Sequence, residues 1–194
     1  MWYTFRFRFR WDGSSVPKWW LDLFIVDTVV RDLVDRHKAS IRFWRFHRRA
    51  QNDAGGHTLS FFVYTDEHVS KSMNEAASAH QSIILLREND LLADYRKENS
   101  GTEIEAASDP CWSKELRDAW PSYVMGISNM ILELVSVIKS QREEPDGNAG
   151  IDGLATYYES VSARLAAIWQ NEGSHALLHH LNAMFGYVPV LLSL

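Results

Sequence analysis

The sequence predicts an α+β protein, and three observations lead there. Residues 2–11 alternate between aromatic and polar. Residues 41–66, IRFWRFHRRAQNDAGGHTLSFFVYTD, read as two strands around a polar turn. From Ser113 onward apolar residues return at helical spacing. Period two belongs to a half-buried strand, and a period near 3.6 to an amphipathic helix.

In the first element Tyr3, Phe5, Phe7, Phe9 and Trp11 share one face, while Thr4, Arg6, Arg8 and Arg10 share the other. Asp12-Gly13-Ser14-Ser15 supplies a turn, and Pro17 precedes a helix expected over 18–37. There Trp20, Leu21, Phe24, Val29, Leu33 and Val34 form the apolar stripe. Asp22, Asp27, Asp32 and Arg36 are expected mainly elsewhere on its surface.

The hairpin follows. Its first strand, 41–49, mixes aromatics with arginines, and its second, 57–65, alternates and is rich in β-branched and aromatic residues. Asn52, Asp53, Gly55 and Gly56 mark the turn, with a bulged loop expected at that length. Asp66 is a candidate N-cap for a helix over 67–87, which Glu88-Asn89-Asp90 should end. Residues 91–97 are a candidate fourth strand, and the polar stretch 98–110 is expected to cross the sheet's second face. The order β-α-β-β-α-β is that of a ferredoxin-like split βαβ sheet with both helices on one face.

Beyond residue 100 a helical cover is expected. One long helix should start near Pro121 and stop by Arg142, with Gly126 and Ser128 as close-packing positions. A second is expected over 151–170, broken at Asn171-Glu172-Gly173, and a third capped by Ser174 and ending at Phe185 before Gly186. Residues 1–100 thus form a sheet-and-helix half and 101–194 its cover, together one compact domain.

Composition sets bounds. With 46% hydrophobic and 23% charged residues in 194, the chain has the make-up of a globular domain. Residues 1–50 carry 11 Lys/Arg against 5 Asp/Glu, while the remainder carries 9 against 20. A basic first quarter suits an anionic partner or the protein's own acidic helices. The single cysteine, Cys111, excludes an internal disulfide and fits a reducing, cytoplasmic setting. No run of 18 apolar residues occurs, so no membrane span is expected. The N-terminus alternates where a secretory signal would be continuously apolar.

Chemistry-bearing residues are few. G-x-G-x-x-G, Walker and G-x-S-x-G motifs are absent. No RNP1-like segment accompanies the aromatic-arginine strands, so nucleic acid is not the expected partner. His175 and His179 are four apart, but H-A-L-L-H lacks the glutamate of H-E-x-x-H. A two-histidine site would need a third ligand from elsewhere, so neither metal nor cofactor is expected. Helix-end histidines also suit the negative end of the helix dipole. His57, directly after two glycines, is a candidate acid or base, or a turn histidine bonding backbone. Arg6, Arg8 and Arg10 line one strand face, and Arg42, Arg45, Arg48 and Arg49 lie on the next strand on mixed faces; such a set suits a carboxylate or phosphate, or a solvated edge that blocks sheet-to-sheet aggregation.

Three short phrases occur in order: Phe43-Trp44-Arg45-Phe46; Gly55-Gly56-His57-Thr58-Leu59-Ser60-Phe61; and His180-Leu181-Asn182-Ala183-Met184-Phe185-Gly186. Together they resemble the C-terminal elimination domain of lantibiotic dehydratases, the thiopeptide-type bacteriocin biosynthesis domain. That resemblance implies a stand-alone protein in the maturation of a ribosomally made peptide. It would eliminate glutamate from glutamylated serine or threonine, or cyclise a modified peptide. It further implies His57, His180 and Arg45 as catalytic residues, with Arg6, Arg8 and Trp44 binding substrate. The implied partners are a precursor or modified peptide and another biosynthetic enzyme. Leu59, Phe61 and Ala183 stand where the family carries arginines, so part of its cationic set is missing. The alternative expectation is a non-catalytic binding or scaffold protein of a biosynthetic complex.

Overall fold

The computed structural model describes residues 1–101, 103, 108–145 and 149–189. Four strands, β1 (Trp2–Phe9), β2 (Phe43–Ala50), β3 (His57–Tyr64) and β4 (Leu92–Gly101), form one antiparallel sheet in the order β2-β3-β1-β4. Arg6 faces Ser60 on β3 and Arg96 on β4, and Ser60 in turn faces His47 on β2. The β2-β3 pairing runs in register from Phe43↔Tyr64 to Ala50↔His57, without the bulge expected from the loop length. The loop is closed instead by Asp53, whose carboxylate accepts from the Gly55 and Gly56 amides while Gly56 takes a φ of 57°. Register shifts occur in β1-β4, at Trp2/Tyr3 and Arg8/Phe9.

The expected aromatic face forms the core. Tyr3, Phe5, Phe7 and Phe9 lie beside Leu59, Phe61 and Val63 of β3 and Trp44 of β2. Three kinds of helix bury this face. The first is a rod made of α1 (Trp19–Ile25), a π-helical turn Val26–Val30 and α2 (Arg31–His37). The second is the pair α3 (Glu67–Ser78) and α4 (Gln81–Glu88), which contributes Met73, Ala77, Ile83 and Leu86. The third is α5 (Lys114–Ser140) and α6 (Gly150–Gly173), which add Leu132, Val135, Ile138, Tyr157, Tyr158 and Val161.

Several expectations are corrected here. Asp22 and Asp27 are buried: Asp22 faces the sheet and meets His57 of β3, while Asp27 meets Lys139 of α5 and Tyr158 of α6, so neither keeps the solvent face expected of it. The helix expected over 67–87 is two: Asp66 caps α3 through the Val69 amide, and His80 starts α4 by accepting from the Ser82 amide. β4 runs on to Gly101, so the polar stretch begins as strand; residues 102 and 104–107 of the expected crossover lie outside the described residues.

Helix α5 starts at Lys114, capped by the Ser113 hydroxyl on the Leu116 amide, with Pro121 inside it. Pro121 lies about two turns past the cap and is buried, so its packing offsets part of the hydrogen bond that the proline cannot make. α5 runs along β2, where the buried Ser128 hydroxyl accepts the Phe46 amide and so covers an open sheet edge. Ser128 is thus the close-packing position, whereas Gly126 is exposed with nothing nearby. By length and composition α5 is the one helix among the described residues apolar enough to cross a membrane, although Leu132, Val135 and Ile138 lie in the core.

Asn171-Glu172-Gly173 does not break the chain's path. α6 passes through a π-helical segment, Ser174–His179, into α7 (His180–Met184). Ser174 has helical φ and ψ and caps nothing. The expected stop at Phe185-Gly186 is present, with Gly186 at φ 71°.

Candidate functional site

Alternation along β1, β2 and β3 sends a second set of side chains to the sheet's other face. Arg6 and Arg8 come from β1, and Arg45, His47 and Arg49 from β2. Thr58, Ser60 and Phe62 of β3 lie between them. None of these residues belongs to the core cluster.

The Arg45 guanidinium sits 4.0 Å from the centre of the Phe62 ring, and burial pushes its pKa below the usual arginine value. His47 is also pushed down, first by burial and then by the charges of Arg45 and Arg49. Burial is the larger cause of that shift, and the two guanidinium groups add to it. Glu98 offsets part of the face's positive charge, pairing with Arg6 at 3.1 Å and Arg96 at 2.8 Å. Arg49 is taken up by Asp53 and Gln51. Arg8 is exposed and makes no ion pair among the described residues.

The face ends in a cleft of about 410 Å³ between the 10–18 loop and the hairpin turn, with Arg8, Arg10, Asp12, Gly13, Asn52 and Gly56 in its walls. Gly13 is required there. Its φ is 79°, and a Cβ would lie 2.6 Å from Asn52 Oδ1. The carboxylates in the wall are already engaged. Asp12 accepts from the Ser15 and Ser14 amides and the Ser15 hydroxyl, which hold its pKa well below the usual range. Asp53 is paired with Arg49, and Arg10 with Asp90 at 2.8 Å. Arg8 lines the cleft with Asp12 and faces Asp94 of β4 in register, and its guanidinium is of a kind able to hold an anionic group.

The other face carries a second polar group, within the core. His57 and Asp22 are fully buried and hydrogen-bonded at 2.7 Å between Nε2 and Oδ2. The imidazole lies between Phe9 and Trp19, with ring centres at 4.9 and 5.2 Å. Arg48 donates to the Trp19 carbonyl at 2.8 Å and comes within 3.9 Å of Asp22.

The residues implied by the resemblance therefore fall in three places. Arg6, Arg8 and Arg45 share the outer sheet face. His57 and Trp44 are on the core face, buried and out of reach of a ligand on the arginine side. His180 stands on the C-terminal helix, in a cluster with His175 and His179. Sequence reasoning missed Asp22 and Arg48. The signal for Asp22 was an acid inside the apolar run Trp19–Ile25, and for Arg48 its phase with Trp44 and Phe46 along β2. No protein-family model, curated protein or solved structure matches this chain.

Proposed function

We propose that this protein binds an anionic, peptide-like ligand along the arginine face, as a non-catalytic module in the maturation of a ribosomally made peptide. The observation that carries this reading is the sharing of one outer sheet face by Arg6, Arg8 and Arg45, ending in a cleft that Arg8 lines. Charge-assisted hydrogen bonds from such a row favour carboxylates spaced along an extended chain.

Binding is favoured over elimination by the placement of the candidate bases. A β-elimination needs a base and cations on the same substrate atoms. Here His57 is behind the sheet and His180 on another element. The order β4-β1-β3-β2, with helical crossovers after β1 and β3, supports reading the sheet as a ferredoxin-like split βαβ. Free Cys111 is in keeping with a cytoplasmic setting.

The test is binding of a labelled peptide rich in glutamate. Arg8→Ala and Arg45→Ala should each weaken it by about tenfold or more, since a hydrogen bond to a charged group contributes about 1.5–3 kcal/mol. Arg36→Ala, on the far helix, should not. Unchanged affinity in both face variants would remove the proposed surface. Release of glutamate from a glutamylated peptide would instead support the lyase reading.

A further inference from the structure

Helix α5 is apolar on two faces, and the body of the protein buries one of them. Pro121, Ser128, Leu132, Val135 and Ile138 are buried. A second set, Leu116, Trp120, Tyr123, Ile127, Met130 and Leu134, is spaced four and three residues apart in alternation, and Val137 continues it. Among the described residues none of this set packs on the core. Leu116, Tyr123, Ile127 and Val137 are exposed, from 38% at Ile127 to 53% at Val137. A strict alternation of four and three is the seam of a helix that meets another helix, narrower than the stripe a helix turns to a broad surface.

Three further observations bear on the same face. Gly126 flanks the stripe at its middle, and a Cβ there would meet nothing within 4 Å. Glycine weakens a helix relative to alanine, and it allows a second backbone to come close. Between Ala119 and Ile138 the only charged residue is Glu133. A helix lying on a membrane carries lysine and arginine on its other face, whereas the other face of α5 is in the core. Trp112, Trp120 and Tyr123 stack in sequence at the N-terminal end, with ring centres 4.7 and 5.3 Å apart. Aromatic side chains of this kind are enriched where proteins meet.

We propose that α5 pairs with α5 of a second copy of this chain, antiparallel about a two-fold axis beside Gly126. The stripe is self-complementary in that arrangement. Leu116 meets Leu134 of the second copy, Trp120 its Met130, and Tyr123 its Ile127. Glu133 stands level with Arg117 of the second copy, so no like charges meet. The two helix dipoles are opposed, and the two Gly126 positions lie near the closest approach. Such a contact uses one patch twice and closes as a dimer. The area suffices as well. The chain exposes 11505 Å², about 2,000 Å² more than a compact monomer of its 22.4 kDa. Each partner in a standard interface gives up about 800 Å².

The experiment is sedimentation equilibrium of the full chain at micromolar concentrations. A particle of twice 22.4 kDa is expected. Ile127→Glu sets two carboxylates near the axis and should raise the dissociation constant at least about a hundredfold. Gly126→Leu has open space in the single chain and should raise it about tenfold, by blocking the close approach. Met184→Lys, on the exposed C-terminal helix, should leave it unchanged. Circular dichroism of each variant checks that the fold is kept. A monomer at every concentration overturns the proposal, and a monomer that floats with phosphatidylcholine-phosphatidylserine vesicles gives the face to a membrane instead. A dimer that survives Ile127→Glu, or that Met184→Lys breaks equally, overturns the α5 contact. Unchanged affinity in Gly126→Leu overturns the antiparallel register.

Discussion

Asp22 and His57 form a fully buried charged or polar pair in an otherwise aromatic layer. Removing two such groups from water is costly, and their hydrogen bond offsets it only in part. Asp22 Oδ1, His57 Nδ1 and Arg48 Nε are buried without a hydrogen-bond partner among the described residues, so the balance at this point of the core is fine. Asp22→Ala would leave the imidazole and Arg48 without their carboxylate. Loss of one partner of a buried pair costs about 3–5 kcal/mol. Urea denaturation of Asp22→Ala should show a destabilisation of that size, and a loss below about 1 kcal/mol would mean that the pair contributes little. The residue scale also explains why His57 does not serve the arginine face: its neighbours in register, Phe9 and Ala50, commit it to the core side.

Among elements, the π-helical turn Val26–Val30 is the joint between the sheet layer and the later helices. It presents Asp27, which accepts from Lys139 at 2.6 Å and Tyr158 at 2.7 Å, and from Arg31 at 3.1 Å. Burial alone would raise the Asp27 pKa, but the Lys139 and Tyr158 hydrogen bonds and the nearby cations outweigh it and lower the value. Lys139 is shifted up, since its bond to Asp27 outweighs its own burial. A depressed carboxyl pKa stabilises the fold above its unfolded value, about 4, and the contribution is lost as pH falls through the folded value. A raised lysine pKa stabilises below about 10.5 and is lost as pH rises through the folded value. The network is therefore complete across the neutral range. Asp27→Asn should cost about 3 kcal/mol at pH 7, and the gap to the parent should narrow as pH drops below about 4. Denaturant titrations at the two pH values measure this; a gap independent of pH would show that the carboxylate's charge is not what joins the helices.

The whole molecule is a sheet with one apolar face buried by helices and one cationic face, extended by a C-terminal arm. Core residues of α6 end at Val161, and beyond it Trp169, Leu178, Met184 and Phe185 are exposed. Substituting an exposed surface residue changes stability by no more than about 0.5 kcal/mol. Met184→Ser and Phe185→Ser should therefore each unfold at nearly the same urea concentration as the parent. Both should keep acidic-peptide binding. A large fall in stability would show that the arm supports the body. At this scale the charge asymmetry is also resolved only in part within the chain. Arg6, Arg10, Arg31 and Arg49 form ion pairs with the protein's own acids, and Arg8 faces Asp94 across the β1-β4 pair.

The sequence by itself determined the elements whose signal is local. Alternation in β1 separated the aromatic core face from the face of Arg6 and Arg8, and Asp66, Gly56 and Gly186 marked a cap, a turn and a helix end. These rest on periods and backbone preferences that neighbouring residues set among themselves. Only the tertiary structure decided which helix surfaces lose solvent. Docking α1 on the sheet buried Asp22 against His57, α5 and α6 buried Asp27, and α5 runs through a buried Pro121. It also separated Arg45 from His57, since two side chains on neighbouring strands share a face only if the register says so. Burial and register depend on residues far apart in the chain, and no local pattern carries that information.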